Sequence, residues 1–410
     1  MRSSLKPPKH YVGRFVKRVK PATRPANPNF SCGPCAKHPG WKASDLDGAL
    51  LGRSHRSPEG RARLKALIDQ TRRLIGLPQD YLLAIVPGSD TGGFEMALWT
   101  MLGARGADVL AWESFGRLWV GDVVRQLKLS DVRVLAADFG ALPDLGAVNF
   151  DSDVVFTANG TTSGVRIPNY DWIAKDRTGL TFVDATSAIL AQPVDWSKTD
   201  VLTFSWQKVL GGEAAHGMLA LSPRAIERLE SYVPPWPVPK LFRLAEKGRV
   251  DQRLFEGWTL NTPSMLCVED CLNALAWAER AGGLAGLHAR ANRNAQVLFD
   301  WIERTPWVQN LGVDRATWSN TSVCLTFCGA KVLALALADQ RRFANGVAQR
   351  LAEEGAAYDI AAYRDAPPGL RLWTGATVEA TDIAAVLPWI EWAYHTQMDL
   401  AEMDLAGRGG

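Results

Sequence analysis

The chain has 410 residues, 47% of them apolar and 22% charged, an ordinary globular composition with length for two or three domains. No run of 18 or more apolar residues occurs, and no apolar stretch followed by a small-residue cleavage site opens the chain. A membrane span and a secretory leader are therefore not expected, and a soluble, cytoplasmic protein is. The net charge of +3 hides an asymmetry, because residues 1–44 carry ten Lys and Arg and no acid, leaving 36 basic against 43 acidic side chains on the rest.

Residues 1–28 read as a basic, proline-punctuated arm, extended along the body or along a second subunit, with nucleic-acid binding as the less favoured use. Cys32 and Cys35 follow in S-C-G-P-C-A-K. A redox C-x-x-C needs a strand before it and a helix after it, and here irregular N-P-N-F precedes and P-G-W follows. Zinc is not expected either, since His38 alone does not complete four ligands, and no metal site is foreseen elsewhere. Cys267 with Cys271 and Cys324 with Cys328 read as small buried residues on one helix face and in one strand.

Residues 60–76 have the periodicity of an amphipathic helix. From about 80 to 222, short apolar runs alternate with helical segments: Y-L-L-A-I-V-P, A-D-V-L-A, S-D-V-V-F-T-A, G-L-T-F-V-D-A, T-D-V-L-T-F-S and H-G-M-L-A-L-S read as strands. That alternation predicts an α/β fold with a mostly parallel sheet, whose ligands bind beyond the C-terminal ends of the strands. Two helices are predicted over 264–305, then a strand around 319–327, a helix over 338–355, a strand around 369–375 and a closing helix. This C-terminal part reads as a smaller α+β domain. The expected division is 29–275 for the large domain and 276–410 for the small one.

The strand ends carry a constellation. Gly88-Ser89-Asp90-Thr91-Gly92-Gly93 opens a helix whose N-terminus favours a phosphate, although it is neither a P-loop nor a dinucleotide fingerprint. Asp184 ends an apolar strand, where a carboxylate is costly without a partner, and Lys208 ends the next. Each has a plain structural reading: Asp184 as a helix cap, Lys208 as a turn lysine beside Gly211-Gly212. Together they are what pyridoxal phosphate requires: an amine for its aldehyde, an acid for its ring nitrogen and a cradle for its phosphate. Phe115, just beyond the second strand, is placed to stack on the ring.

In order, S-H-R (54–56), G-S-D-T-G (88–92), N-G-T-T-S-G (159–164), V-D-A-T-S (183–187), Q-K (207–208), N-T-P (261–263) and G-L-R (369–371) resemble the phosphoserine aminotransferases. These belong to the class V group of fold-type I pyridoxal-phosphate enzymes. The likeness runs from N-F-S-C-G-P, residues 29–34, to the closing helix. It implies a seven-stranded sheet and transamination between L-glutamate and 3-phosphohydroxypyruvate in serine biosynthesis, with a further role in pyridoxine biosynthesis. By position it makes Lys208 the lysine bonded to the cofactor and Asp184 the partner of the ring nitrogen. Thr161 would contact the ring hydroxyl, and Ser89, Asp90, Thr91 and Gln207 would lie about the phosphate. Asn261 and Thr262 would reach the neighbouring subunit's cofactor, which implies a homodimer with shared sites.

The same resemblance assigns Arg371 to the substrate α-carboxylate and His55 with Arg56 to its distal anion, in keeping with the forked guanidinium's fit to carboxylate and phosphate. Two departures stand out. Ser89-Asp90-Thr91 replaces a common Gly-Gly-Arg, and Tyr363-Arg364-Asp365 replaces a His-Arg pair, leaving Arg364 to do that work alone. The rival readings are a sister class V transaminase acting on serine, alanine or glyoxylate, a cysteine desulfurase, and a non-catalytic binding protein that uses the basic arm.

Overall fold

The structure is a computed structural model that describes residues 19–408; most of the basic arm lies outside them. Seven strands form the main sheet: β1 (Leu82–Pro87), β2 (Ala107–Ala111), β3 (Val132–Ala136), β4 (Asp153–Thr157), β5 (Thr181–Asp184), β6 (Val201–Ser205) and β7 (His216–Leu221). Their order is β1-β7-β6-β5-β4-β2-β3. Only β7 runs against its neighbours, β1 and β6; the other pairings are parallel.

Every residue of β2, β4, β5, β6 and β7 is buried, so these strands read as continuous apolar runs. Successive side chains go to opposite faces. Leu110, Phe156, Val183 and Leu202 enter one core, whereas Val109, Val155, Phe182 and Val201 enter the other. Within this sheet, strand β3 is the one that the sequence pattern did not disclose. It lies at the sheet edge, three of its five residues are exposed, and an edge strand needs no apolar run.

Helix α1 (Pro58–Leu74) begins at Ser57, whose side chain accepts from Gly60 N, with Pro58 in the first turn. It packs on α5 (Met265–Arg280). Between them in sequence come α2 (Ser89–Met101), α3 (Ser114–Gly121), which runs on into a π-helical turn at Asp122–Gln126, and α4 (Pro223–Ser231). Gly282 and Gly283, both at positive φ, separate α5 from α6 (Gly283–Arg304). Strands β8 (Val308–Asn310), β9 (Ser322–Phe327) and β10 (Leu370–Trp373) form an antiparallel sheet flanked by α7 (Leu337–Glu353) and α8 (Ala380–Arg408).

The described end of the arm lies along α8 and the loop after α7. Lys20 and Arg24 pair with Glu354 at 2.6 and 3.6 Å and lie over the Trp392 and Trp389 rings. Ala26 N donates to Asp382 at 2.7 Å, and the Trp389 indole donates to Thr23 O at 2.7 Å. Beyond it, Tyr358 N donates to Pro28 O and Trp373 N to Phe30 O, which carries the chain across β10.

Candidate active site

The C-terminal ends of β1, β5 and β6 meet at one edge of the sheet. After β1 the chain turns through Gly88 and Ser89, both at positive φ, into α2. The turn is tight: a Cβ on Gly92 would collide with Pro87 O, and one on Gly217 with Ser89 O. Side chains of Ser57, Glu113, Ser222 and Ser264 cap α1, α3, α4 and α5, but no side chain caps α2. Gly88 N and Ser89 N donate to Ala215 O at 3.2 and 3.3 Å, which leaves the Asp90 and Thr91 amides of the first turn for an anion. Ser89 is half-buried and Thr91 exposed, while Asp90 is buried and turned toward Asp184.

Asp184 ends β5 and is paired in register with Thr203 of β6. Its Oδ2 accepts from Trp119 Nε1 at 3.2 Å and its Oδ1 from Thr186 N at 3.0 Å. It forms no ion pair among the described residues. Glu113 faces it from the start of α3, accepting from Gly116 N at 2.6 Å and Thr162 Oγ1 at 2.8 Å. Burial above all, with the Asp184 charge as a lesser cause, pushes the Glu113 carboxyl up to about 7.

Lys208 follows β6 and is half-buried, and its Nζ donates to the Cys32 carbonyl. Gln207 stands beside it, with its main-chain oxygen accepting from Cys35 N at 2.8 Å and its buried side-chain Oε1 without a donor. Segment 32–35 thus lies across the lysine, a contact the sequence reading did not contain. It carries no redox signature: burial raises the Cys35 thiol, outweighing the lysine and arginine charges near it, and all six cysteines are free. Gly33 has φ +147°, and a Cβ there would strike Lys208 Nζ. Gly33→Ala should therefore displace the amine and store about 1–3 kcal/mol of backbone strain. The expected result is a lower melting temperature together with loss of turnover. If both are unchanged, the segment does not crowd the lysine.

Arg371 of β10 is paired with Cys324 of β9, its Nε is buried without an acceptor, and its guanidinium lies 5.5 Å over the Tyr363 ring. Phe115 meets the same ring, with centroids 5.6 Å apart. An aromatic–arginine row therefore stands where Phe115 alone was expected. Trp119, one turn along α3, is the aromatic residue bonded to Asp184. Four-residue spacing from Phe115 was the signal for it. Thr161 is buried and donates to Ser187 Oγ at 2.7 Å.

Of the remaining candidates, Arg364 lies 5.5 Å over the same Tyr363 ring, and the others stand apart among the described contacts. His55 is half-buried and Arg56 exposed in the turn before α1; burial and then the Arg56 charge lower the His55 pKa. Asn261 and Thr262 are exposed in a loop where the Thr259 hydroxyl donates to Asn261 O at 2.6 Å. Arg364 is exposed beside Asp365 at 3.7 Å.

The arrangement suits pyridoxal phosphate on its own terms. An amine ends one strand and a buried carboxylate the next, and an uncapped helix N-terminus adjoins both. Unpartnered buried atoms at Gln207 Oε1 and Arg371 Nε await polar ligands.

The class-V aminotransferase family model matches residues 148–343. Phosphoserine aminotransferases of Methanosarcina mazei and Methanosarcina barkeri are each 53% identical, over 92% of this chain and 99% of theirs. Among solved structures, phosphoserine aminotransferase of Bacillus circulans subsp. alkalophilus superposes with TM-score 0.73 at 17% identity, covering 90% of this chain and 99% of that one. Alanine–glyoxylate aminotransferase of Nostoc superposes with TM-score 0.72 at 18% identity, over 92% and 97%. These last two likenesses describe the fold.

Proposed function

The chain belongs to the phosphoserine aminotransferases within the class-V aminotransferases, and from that membership and the geometry about Lys208 we propose that it transfers the amino group of L-glutamate to 3-phosphohydroxypyruvate. The products are 2-oxoglutarate and O-phospho-L-serine, the cofactor is pyridoxal phosphate, and the place is serine biosynthesis. The observation that carries this reading is the buried Asp184 carboxylate, without a cationic partner among the described residues, on the strand next to the one that delivers Lys208.

When bound, the cofactor supplies an aldehyde that condenses with amines and a ring that draws electrons from the substrate Cα. The residues of the chain do the rest. Asp184 would hold a proton on the ring nitrogen, Gln207 and the α2 amides would bind the phosphate, and Thr161 would meet the ring hydroxyl. Ser89 and Thr91 lie on the same turn. The Lys208 amine would take the Cα proton and return it on the other side of the reacting system, with the Cys32 carbonyl orienting it meanwhile. Arg371 would grip the substrate carboxylate, and Phe115 and Tyr363 would fix the guanidinium plane. His55, Arg56 and Arg364 would receive the distal phosphate or side-chain carboxylate.

We further read the protein as a cytoplasmic homodimer in which Asn261 and Thr262 reach the partner's cofactor. The exposed Trp258 and Leu266 beside them support that reading. No helix among the described residues is long and apolar enough to cross a membrane.

The test is a titration of the visible absorbance of the pyridoxal-phosphate-loaded protein. L-phosphoserine and L-glutamate should bleach it, and L-serine and L-alanine should not. Bleaching by the latter pair alone would move the substrate to a sister transaminase.

A further inference from the structure

Asp90 occupies the phosphate turn in sequence, yet its side chain does not point outward. It is 6% exposed and lies against Asp184. Its Oδ1 is buried, and no N–H or O–H donor reaches it. Two buried carboxyls with no cation on either would cost several kcal/mol if both were ionised.

Geometry decides which one holds the proton. Asp184 accepts an N–H at each oxygen, from Trp119 and from Thr186, and so behaves as the anion. Asp90 accepts none at Oδ1. The Thr186 and Thr203 hydroxyls lie beside it without closing well-formed bonds. The start of α2 favours an anion by about 0.3–1 kcal/mol, too little to offset burial beside a second carboxylate.

We propose that Asp90 is a positioning residue held as the neutral acid, its O–H donated to Asp184, so that the pair presents one negative charge to the cofactor's ring nitrogen. The consequence is a carboxylate fixed by three donors, with its remaining lone pair left for the ring N–H. The proposal rests on the role given to Asp184 above. In agreement, burial first and the Asp184 charge second push the Asp90 carboxyl well above its usual range.

The other titratable groups around the pair are few. Glu113 faces Asp184 from α3, and β7 brings His216, which burial lowers to about 4 and so keeps neutral. Lys208 is engaged by Cys32. Any titration of Glu113 is common to wild type and variants and cancels in their difference.

A carboxyl whose folded pKa is raised costs stability as pH rises above its unfolded value near 3.9. Asp90→Asn does not titrate. In the full chain without added cofactor it should melt higher than wild type at pH 8, by about 2 °C, with the gap shrinking toward pH 5. Asp90→Ser, a second neutral donor, should give the same pH trend. A gap that narrows or reverses toward pH 8 puts the charge on Asp90 and overturns the proposal.

In the second measurement pyridoxal phosphate itself is the probe. Asp90→Ala, without a donor, should bind it about tenfold more weakly, and Asp90→Asn should restore the affinity. Failure of Asn to restore it also overturns the proposal. If wild type does not bind the cofactor at all, the functional reading fails, and the melting series still decides the state of Asp90.

Discussion

Lys208→Ala is expected to lower turnover by about 10⁴-fold, the upper range for loss of a positioned proton-transfer group, while leaving the fold intact. The side chain is half-buried and its one bond is to the Cys32 carbonyl, so little stability goes with it. The contrast is Lys198, at the opposite end of the same strand, which is buried with its amine on the Ile173 carbonyl and reads as structural. Borohydride reduction of the loaded protein followed by intact-mass measurement gives a second readout. Wild type should gain the mass of the cofactor, and Lys208→Ala should not. A variant that keeps the added mass, or the rate, would assign the covalent link to another amine.

Asp184→Asn is expected to lower turnover by about 10²–10³-fold, the scale seen when one preorganised electrostatic stabiliser is removed. The amide keeps the shape and still accepts from one of the two donors, so the loss reports charge rather than packing. Asp184→Ala should lose as much rate and also about 1–3 kcal/mol of stability, because the Trp119 indole and the Thr186 amide then have no acceptor. Comparing kcat and melting temperature across the two variants separates these effects. Unchanged transamination in Asp184→Asn would remove Asp184 from the mechanism.

Much of this was legible in the chain because parallel sheets write themselves as continuous apolar runs. The buried strands β2 and β4–β7 could be read directly, and the rule that ligands sit beyond strand ends pointed to Asp184 and Lys208. The edge strand β3 was not legible, since half-exposed Val132–Ala136 carries no such run. Nor was segment 32–35 legible as part of the site. Local periodicity says nothing of a contact between residues 176 apart, and S-C-G-P-C drew attention to its sulfurs when its backbone is what touches the lysine. Asp90 looked like one more polar residue of a phosphate turn. Its burial follows from the tight turn through Gly88 and Gly92 and from the proximity of β5, which no linear pattern encodes.

The stapling of residues 23–35 to α8, β10 and Lys208 also sets an order of events during synthesis. The segment that crosses the lysine leaves the ribosome first, yet Thr23 must await Trp389, which is 366 residues behind it. At about 5–20 residues per second the wait is roughly 20–70 s. Through that interval the sheet is able to form and Cys35 N can already reach Gln207 O beside Lys208, but the start of the strap has no indole to hold it. A chain truncated before α8 would therefore keep the contacts of residues 28–35 about Lys208 and lose the anchors of Thr23 and Ala26 that tie down the start of the strap.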